Sequence, residues 1–190
     1  MTHSSSAAVE ALDAVLRGRR SIDLYEAEPA PLGKLLAAID MARWAPNHRL
    51  TEPWHFYLIG PATRAALIDL AVTHERNVKG ERAAEARRTR LGAIPGFFVL
   101  TSLRSEDALL DHENYAACCC AAQNLMLHLW AEGIGVKWTT GAVTRLPEFA
   151  ERLSIDVSNE SIVGFFWYGV PRVVPEQKRR PVADVVTELD

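Results

Sequence analysis

Between Asn114 and Ala131 the chain runs for 18 residues without one formally charged side chain. A helix through this stretch has no face built for water, so the fold must cover it nearly all round. The length reaches the lower limit for crossing a bilayer. Asn114, Gln123, Asn124 and His128 would be costly in hydrocarbon, which argues against a membrane span. The stretch therefore predicts a long helix over Asp107–Glu132, ended by Gly133 and buried in a protein core or in an interface between copies. Within it Cys118, Cys119 and Cys120 are consecutive. On a helix they point about 100° apart and cannot converge on one tetrahedral metal, so they read as small packing residues. An odd number of cysteines at this spacing is no disulfide framework and suggests a reducing, cytoplasmic compartment.

Apolar residues make up 48% of the 190, and charged residues 24%, enough for one domain spanning 1–190 with its own core. A formal charge of -3 gives no global reason to bind nucleic acid. Residues 1–6 lack the basic and apolar regions of a signal peptide and read as a flexible tail.

Helical spacing is present over Ala7–Leu16, from Pro31 to before Pro46, over Ala62–Val72 and over Pro147–Leu153. Trp54–Ile59, Gly96–Leu103, Val136–Thr139 and Ser161–Val170 read as strands. Lys79–Arg90 is helical by propensity. Its basic end could attract an anion, but acids alternate with the bases, as on a solvated helical face. Helices come first, and regular βαβ alternation is missing, so the fold class is α+β. No P-loop, zinc-protease helix, EF-hand loop, nucleophile elbow or complete dinucleotide fingerprint occurs.

Four local features carry chemistry. Arg19-Arg20-Ser21 offers two fixed cations and a hydroxyl, the donors a phosphate needs. The run from Trp44 through Ala45-Pro46-Asn47-His48-Arg49 to Trp54-His55-Phe56 brings polar and aromatic groups into one loop. Gly133-Ile134-Gly135, followed by Trp138-Thr139-Thr140, allows close backbone approach to a ligand. Lys178-Arg179-Arg180 is a late basic cluster.

In this order, and together with Ala121-Ala122-Gln123-Asn124, Ile162-Val163-Gly164-Phe165 and Arg180-Pro181-Val182, these features resemble the nitroreductase family of FMN-dependent oxidoreductases, in a compact form. The resemblance implies an α-β-α sandwich with a mainly antiparallel central sheet. It also implies an intertwined homodimer with FMN at the subunit interface. Arg19, Arg20 and Ser21 would hold the phosphate and ribityl chain, helped by Arg179 and Arg180. Trp44 and His48 would approach the flavin from the partner subunit, and Trp138, Thr139 and Thr140 would line its other side. NAD(P)H would reduce FMN, and a nitro, quinone or other electrophilic small molecule would take the hydride in a ping-pong cycle. No catalytic side chain is required for the flavin step. His48 has two readings, a proton donor to the acceptor or a hydrogen bond fixing its loop, and Trp138 is divided between flavin contact and core packing. Asn47-His48, Glu52 and the carboxylate-free Thr140-Gly141-Ala142 depart from common family patterns, and Asn77–Arg90 is the only stretch that could form a lid. A flavin-binding sensor without turnover and a cofactor-free dimerisation module are the rival functions.

Overall fold

The computed structural model describes residues 5–189. Of the expected tail, residues 1–4 lie outside the described residues, while Ser5 and Ser6 already belong to the first helix. The elements are α1 (Ser5–Gly18), α2 (Leu32–Ala42), β1 (Trp54–Leu58), α3 (Pro61–Lys79), α4 (Glu81–Gly92), β2 (Gly96–Leu103), α5 (Ala108–Ala131), β3 (Gly135–Thr139), α6 (Pro147–Arg152) and β4 (Glu160–Gly169). The strands form one antiparallel sheet in the order β1-β2-β4-β3.

Alternation along the two central strands sorts their side chains onto two cores. Phe97, Val99, Phe165 and Trp167 face α3, α4 and α6, where Leu67, Ala71, Leu91 and Phe149 meet them. Phe98, Leu100, Val163 and Phe166 face α2 and α5, against Leu35, Ala38, Cys118, Leu125 and Leu129. Helices cover both faces, which is the α-β-α sandwich the resemblance implied. The alternation slips once. Val163 is an extra residue, because Leu100 pairs with Gly164 while Thr101 pairs with Ile162. Gly164 is required there, since an added Cβ would fall onto the indole of Trp138. Gly164→Ala should therefore cost about 1–3 kcal/mol in urea unfolding and disturb the near-UV circular dichroism from tryptophan.

The sequence placed α3 too short. Thr73–Lys79 lacks an apolar stripe, so burial gives no signal there. Glu75–Lys79 and Arg76–Glu81 ion pairs support this last part, and Gly80, at φ +84°, breaks the helix. The stretch considered as a lid is consequently ordered helix, the end of α3 and most of α4.

Helix α5 is capped by Asp107, whose carboxylate accepts from the backbone N–H of Leu109 at 2.9 Å. Its inner face is buried, but Tyr115, Ala116 and Cys120 are exposed and Cys119, Gln123, Asn124, Leu127 and His128 only half-buried. The absence of charge thus extends to a face that this one chain does not cover. Among the described residues, no helix is long and apolar enough to cross a membrane.

The cysteines divide as their helical phase requires: Cys118 is buried, Cys119 half-buried and Cys120 exposed. Only Cys118 fully fits the packing role, and no metal-binding group forms among the described residues. Burial pushes the Cys118 thiol up to about 11. A folded value above the unfolded one means that the folded state keeps a proton the unfolded chain loses, so stability falls as pH rises from about 9 to about 11. Thermal melts across that window should show the decline, and Cys118→Ala should reduce it, leaving the share of Cys119 and Tyr168, which burial also pushes up.

Candidate cofactor site

Helix α1 ends at Gly18, and the next residues turn onto the edge of the sheet. Ser21 bridges to Val136 of β3, and Ile22 N–H donates to the Val136 carbonyl at 3.4 Å. This tether fixes where Arg19 and Arg20 can stand. They line a cavity of about 410 Å³ with Leu16, Arg17, Gln177 and Arg179. The C-terminal segment thus brings Arg179 back to the loop after the first helix, more than 150 residues away in the chain.

The cavity is strongly cationic. Burial lowers the Arg19 pKa, and the nearby Arg179 and Arg20 charges lower it further. Arg20 folds back on the end of α1, its Nη1 donating to the Arg19 carbonyl at 2.9 Å and to the Arg17 carbonyl. Its Nε is buried without a protein partner. Arg17 pairs with Asp13 at 3.4 Å, a fully hydrated contact of little strength. An anion supplies what this set lacks, namely charge compensation and an acceptor for the Arg20 fork. Phosphate chemistry fits the donors present.

Strand β3 continues the site. It is an edge strand, and Val136 turns its carbonyl outward to Ile22. By the two-residue period Trp138 also presents its backbone N–H and C=O to the free edge. The side chains are engaged elsewhere. Trp138 Nε1 donates to the Val163 carbonyl at 3.0 Å, its ring stacks on Phe166 at 5.2 Å, and Thr139 Oγ1 donates to the Phe165 carbonyl at 2.7 Å. Of the two roles open to the Trp138 ring, core packing is the one this structure displays. Thr140 is exposed and its carbonyl accepts from Arg145 at 3.3 Å.

Trp44 and His48 stand apart from this group. They lie in the α2–β1 connection, and β1 is the opposite edge of the sheet from β3. Three strand steps separate those edges, about 14 Å at the usual spacing. Trp44 is 77% exposed. Arg49, Leu50 and Glu52 all have positive φ, so the loop is held in a costly conformation. Asn47 Oδ1 accepts from Glu52 N–H at 3.0 Å, and the buried Asn114 of α5 accepts from Thr51 Oγ1 at 2.8 Å. His48 Nε2 accepts from Arg49 Nε at 3.1 Å, which leaves the ring proton on Nδ1. Arg180 is exposed and outside the cavity lining.

Sequence reasoning missed Arg17 and Gln177. Arg17 sits in the last helical turn, where a basic residue has an ordinary dipole role. Gln177 lies in an extended segment with no periodicity to single it out.

The model of the nitroreductase family matches residues 16–170, from the end of α1 to the end of β4. The chain belongs to the nitroreductase family. Among its nitroreductase relatives is YfhC of Bacillus subtilis, named as a candidate NAD(P)H nitroreductase, which is 32% identical over 180 residues, 92% of each chain. That mutual coverage agrees with the compact length expected from the sequence. A nitroreductase-like family protein of Bacillus cereus superposes with a TM-score of 0.84 at 27% identity, covering 100% of this chain and 99% of that one. A protein of the same fold from Desulfovibrio desulfuricans, solved in complex with FMN, has a TM-score of 0.75 at 20% identity, with 94% of this chain and 96% of that one covered.

Proposed function

We propose that this nitroreductase-family chain is an FMN-dependent oxidoreductase that carries hydride from NAD(P)H to a nitro, quinone or other electrophilic small molecule. The observation that carries the reading is the cavity where Arg19, Arg20 and Arg179 converge beside the free edge of β3. The NAD(P)H nitroreductase name of YfhC and the FMN in the Desulfovibrio structure support it.

When bound, FMN supplies the centre that accepts and returns hydride. The residues of the chain hold and tune it. Arg19, Arg20 and Arg179 would hold the phosphate, with Ser21 for the ribityl chain and Arg180 nearby. The outward backbone N–H of Trp138, with Thr139 and Thr140 beyond it, would offer a fixed donor to developing negative charge, which favours reduction. NAD(P)H and the acceptor would bind in turn, as in a ping-pong cycle. His48, its Nε2 fixed by Arg49, would offer Nδ1–H as a hydrogen-bond donor to the acceptor.

A homodimer completes the site. Trp44 and His48 lie at the sheet edge away from the arginines, so a ligand touching both groups needs a second copy. The half-covered, uncharged face of α5 is the surface such a copy would bury. The reading takes residues 1–190 as one domain in the cytoplasm, where three free thiols remain reduced.

The purified protein should be yellow. Denaturation should release about one FMN per chain, and added quinone or nitroaromatic should accelerate NAD(P)H oxidation. A colourless protein that takes up no added FMN would refute the reading.

A further inference from the structure

On the α3–α4 side of the sheet lies a second polar hollow of about 310 Å³, lined by Glu75, Lys79, Ala83, Ala86, Arg87 and Arg90. It shares no residue with the arginine cavity beside β3. Two of its cations already have carboxylates: Lys79 pairs with Glu75 at 2.9 Å and Arg90 with Asp23 at 2.5 Å. Arg87 has none. Its guanidinium makes no ion pair or hydrogen bond among the described residues, and its Nε is buried without a partner. Burial lowers its pKa.

The floor beneath it increases the imbalance. Arg87, Arg90 and Lys137 stand 5.9, 5.2 and 5.4 Å from the ring of Trp167. Asp23 is the one carboxylate paired with any of the three, and Arg90 and Lys137 share it. Trp167 is only 2% exposed, and its indole N–H has no partner either. A solvated helical face, the simpler reading of this basic stretch, would leave its arginine nitrogens in water. Here one is shielded and unpaired beside a hollow.

We propose that this hollow is a second anion site, with Arg87 as its principal ligand and a phosphate dianion or phosphate monoester as its occupant. A guanidinium fork matches two phosphate oxygens. Lys79 and Arg90 flank it with charge, and the volume admits a phosphate with an attached sugar.

The test uses the full chain with excess FMN, so that the arginine cavity beside β3 is not competing. Inorganic phosphate and adenosine monophosphate are titrated by calorimetry at constant ionic strength, with chloride as the balancing anion. One site per chain is expected. Arg87→Gln should weaken binding about tenfold or more, and Lys79→Gln about threefold. Arg82→Gln, an exposed change on α4 outside the hollow, should leave it unaltered. Tighter binding of the monophosphate than of inorganic phosphate supports a nucleotide-type occupant, and equal binding supports free phosphate. Unchanged affinity in both Arg87→Gln and Lys79→Gln, or an equal loss in Arg82→Gln, overturns the site. Since the hollow is separate, failure to retain FMN would refute the flavin reading without deciding this one.

Discussion

Arg20→Glu should empty the cofactor site. The substitution removes a guanidinium whose Nε is buried and unpartnered and puts a carboxylate beside Arg19 and Arg179. A charge-assisted contact to phosphate contributes about 1.5–3 kcal/mol, and reversal adds repulsion to that loss. Affinity for FMN should fall at least about 100-fold, so the protein should purify without its yellow colour. Arg20 Nη1 also caps the end of α1, so some stability will be lost with the flavin. Arg20→Met loses the cap and the phosphate contact without adding repulsion, so the difference between the two variants reads the repulsion alone. If Arg20→Glu holds as much FMN as the parent, the phosphate assignment fails. Fluorescence titration of FMN into each variant gives the affinities directly.

Arg64→Met should be the most destabilising change away from the site. From α3, Arg64 Nη2 donates to the carbonyls of Gly92 at 2.8 Å and Ile94 at 2.7 Å, at the end of α4. Its guanidinium also lies 5.5 Å from the Phe97 ring. These carbonyls have few other partners, because a helix end leaves its last acceptors free. Replacing the cation by an apolar chain of similar length keeps the volume but strands the acceptors. The expected loss is about 2–4 kcal/mol, or a melting temperature lower by roughly 5–15 °C. A loss below about 1 kcal/mol would show that water satisfies those carbonyls equally well.

Much of this molecule is legible in its sequence, for physical reasons. Gly96–Leu103 is strand throughout because its apolar run is short, β-branched or aromatic, and bounded by Pro95 and Arg104. The uncharged run announced α5, and Asp107 and Gly133 marked its limits. Arg19 and Arg20 were visible as paired cations at a helix end. Other features depend on tertiary contacts that no local pattern encodes. Gln177 enters the arginine cavity only because the C-terminal segment returns there. The Trp138 indole is taken up by Val163 only because β3 pairs with β4 in that register. Arg87 reads as a surface charge until Trp167 is found beneath it. Trp44 and His48 come near a flavin by resemblance alone, and the strand order sets their loop beside the sheet edge opposite β3.

The extra residue marks a place where β4 can change length without turning its other side chains over. Past Val163 the pairing with β2 continues in step, and before it Glu160 turns its carboxylate toward Tyr57, at 2.9 Å, and Thr101. Removing Val163 would only close the bulge, because Ile162 and Gly164 already pair with the consecutive residues Thr101 and Leu100. Removing a residue from the regular part of the strand instead, such as Phe166, would shift the ladder by one place and turn the residues on one side of the deletion to the opposite face of the sheet. The Glu160 carboxylate would then face the α5 core, or Trp167 would leave the α3–α4 core. Single-residue deletions beyond Gly164 should therefore be excluded from any functional library, whereas removal of Val163 leaves every other side chain of the strand on its own side.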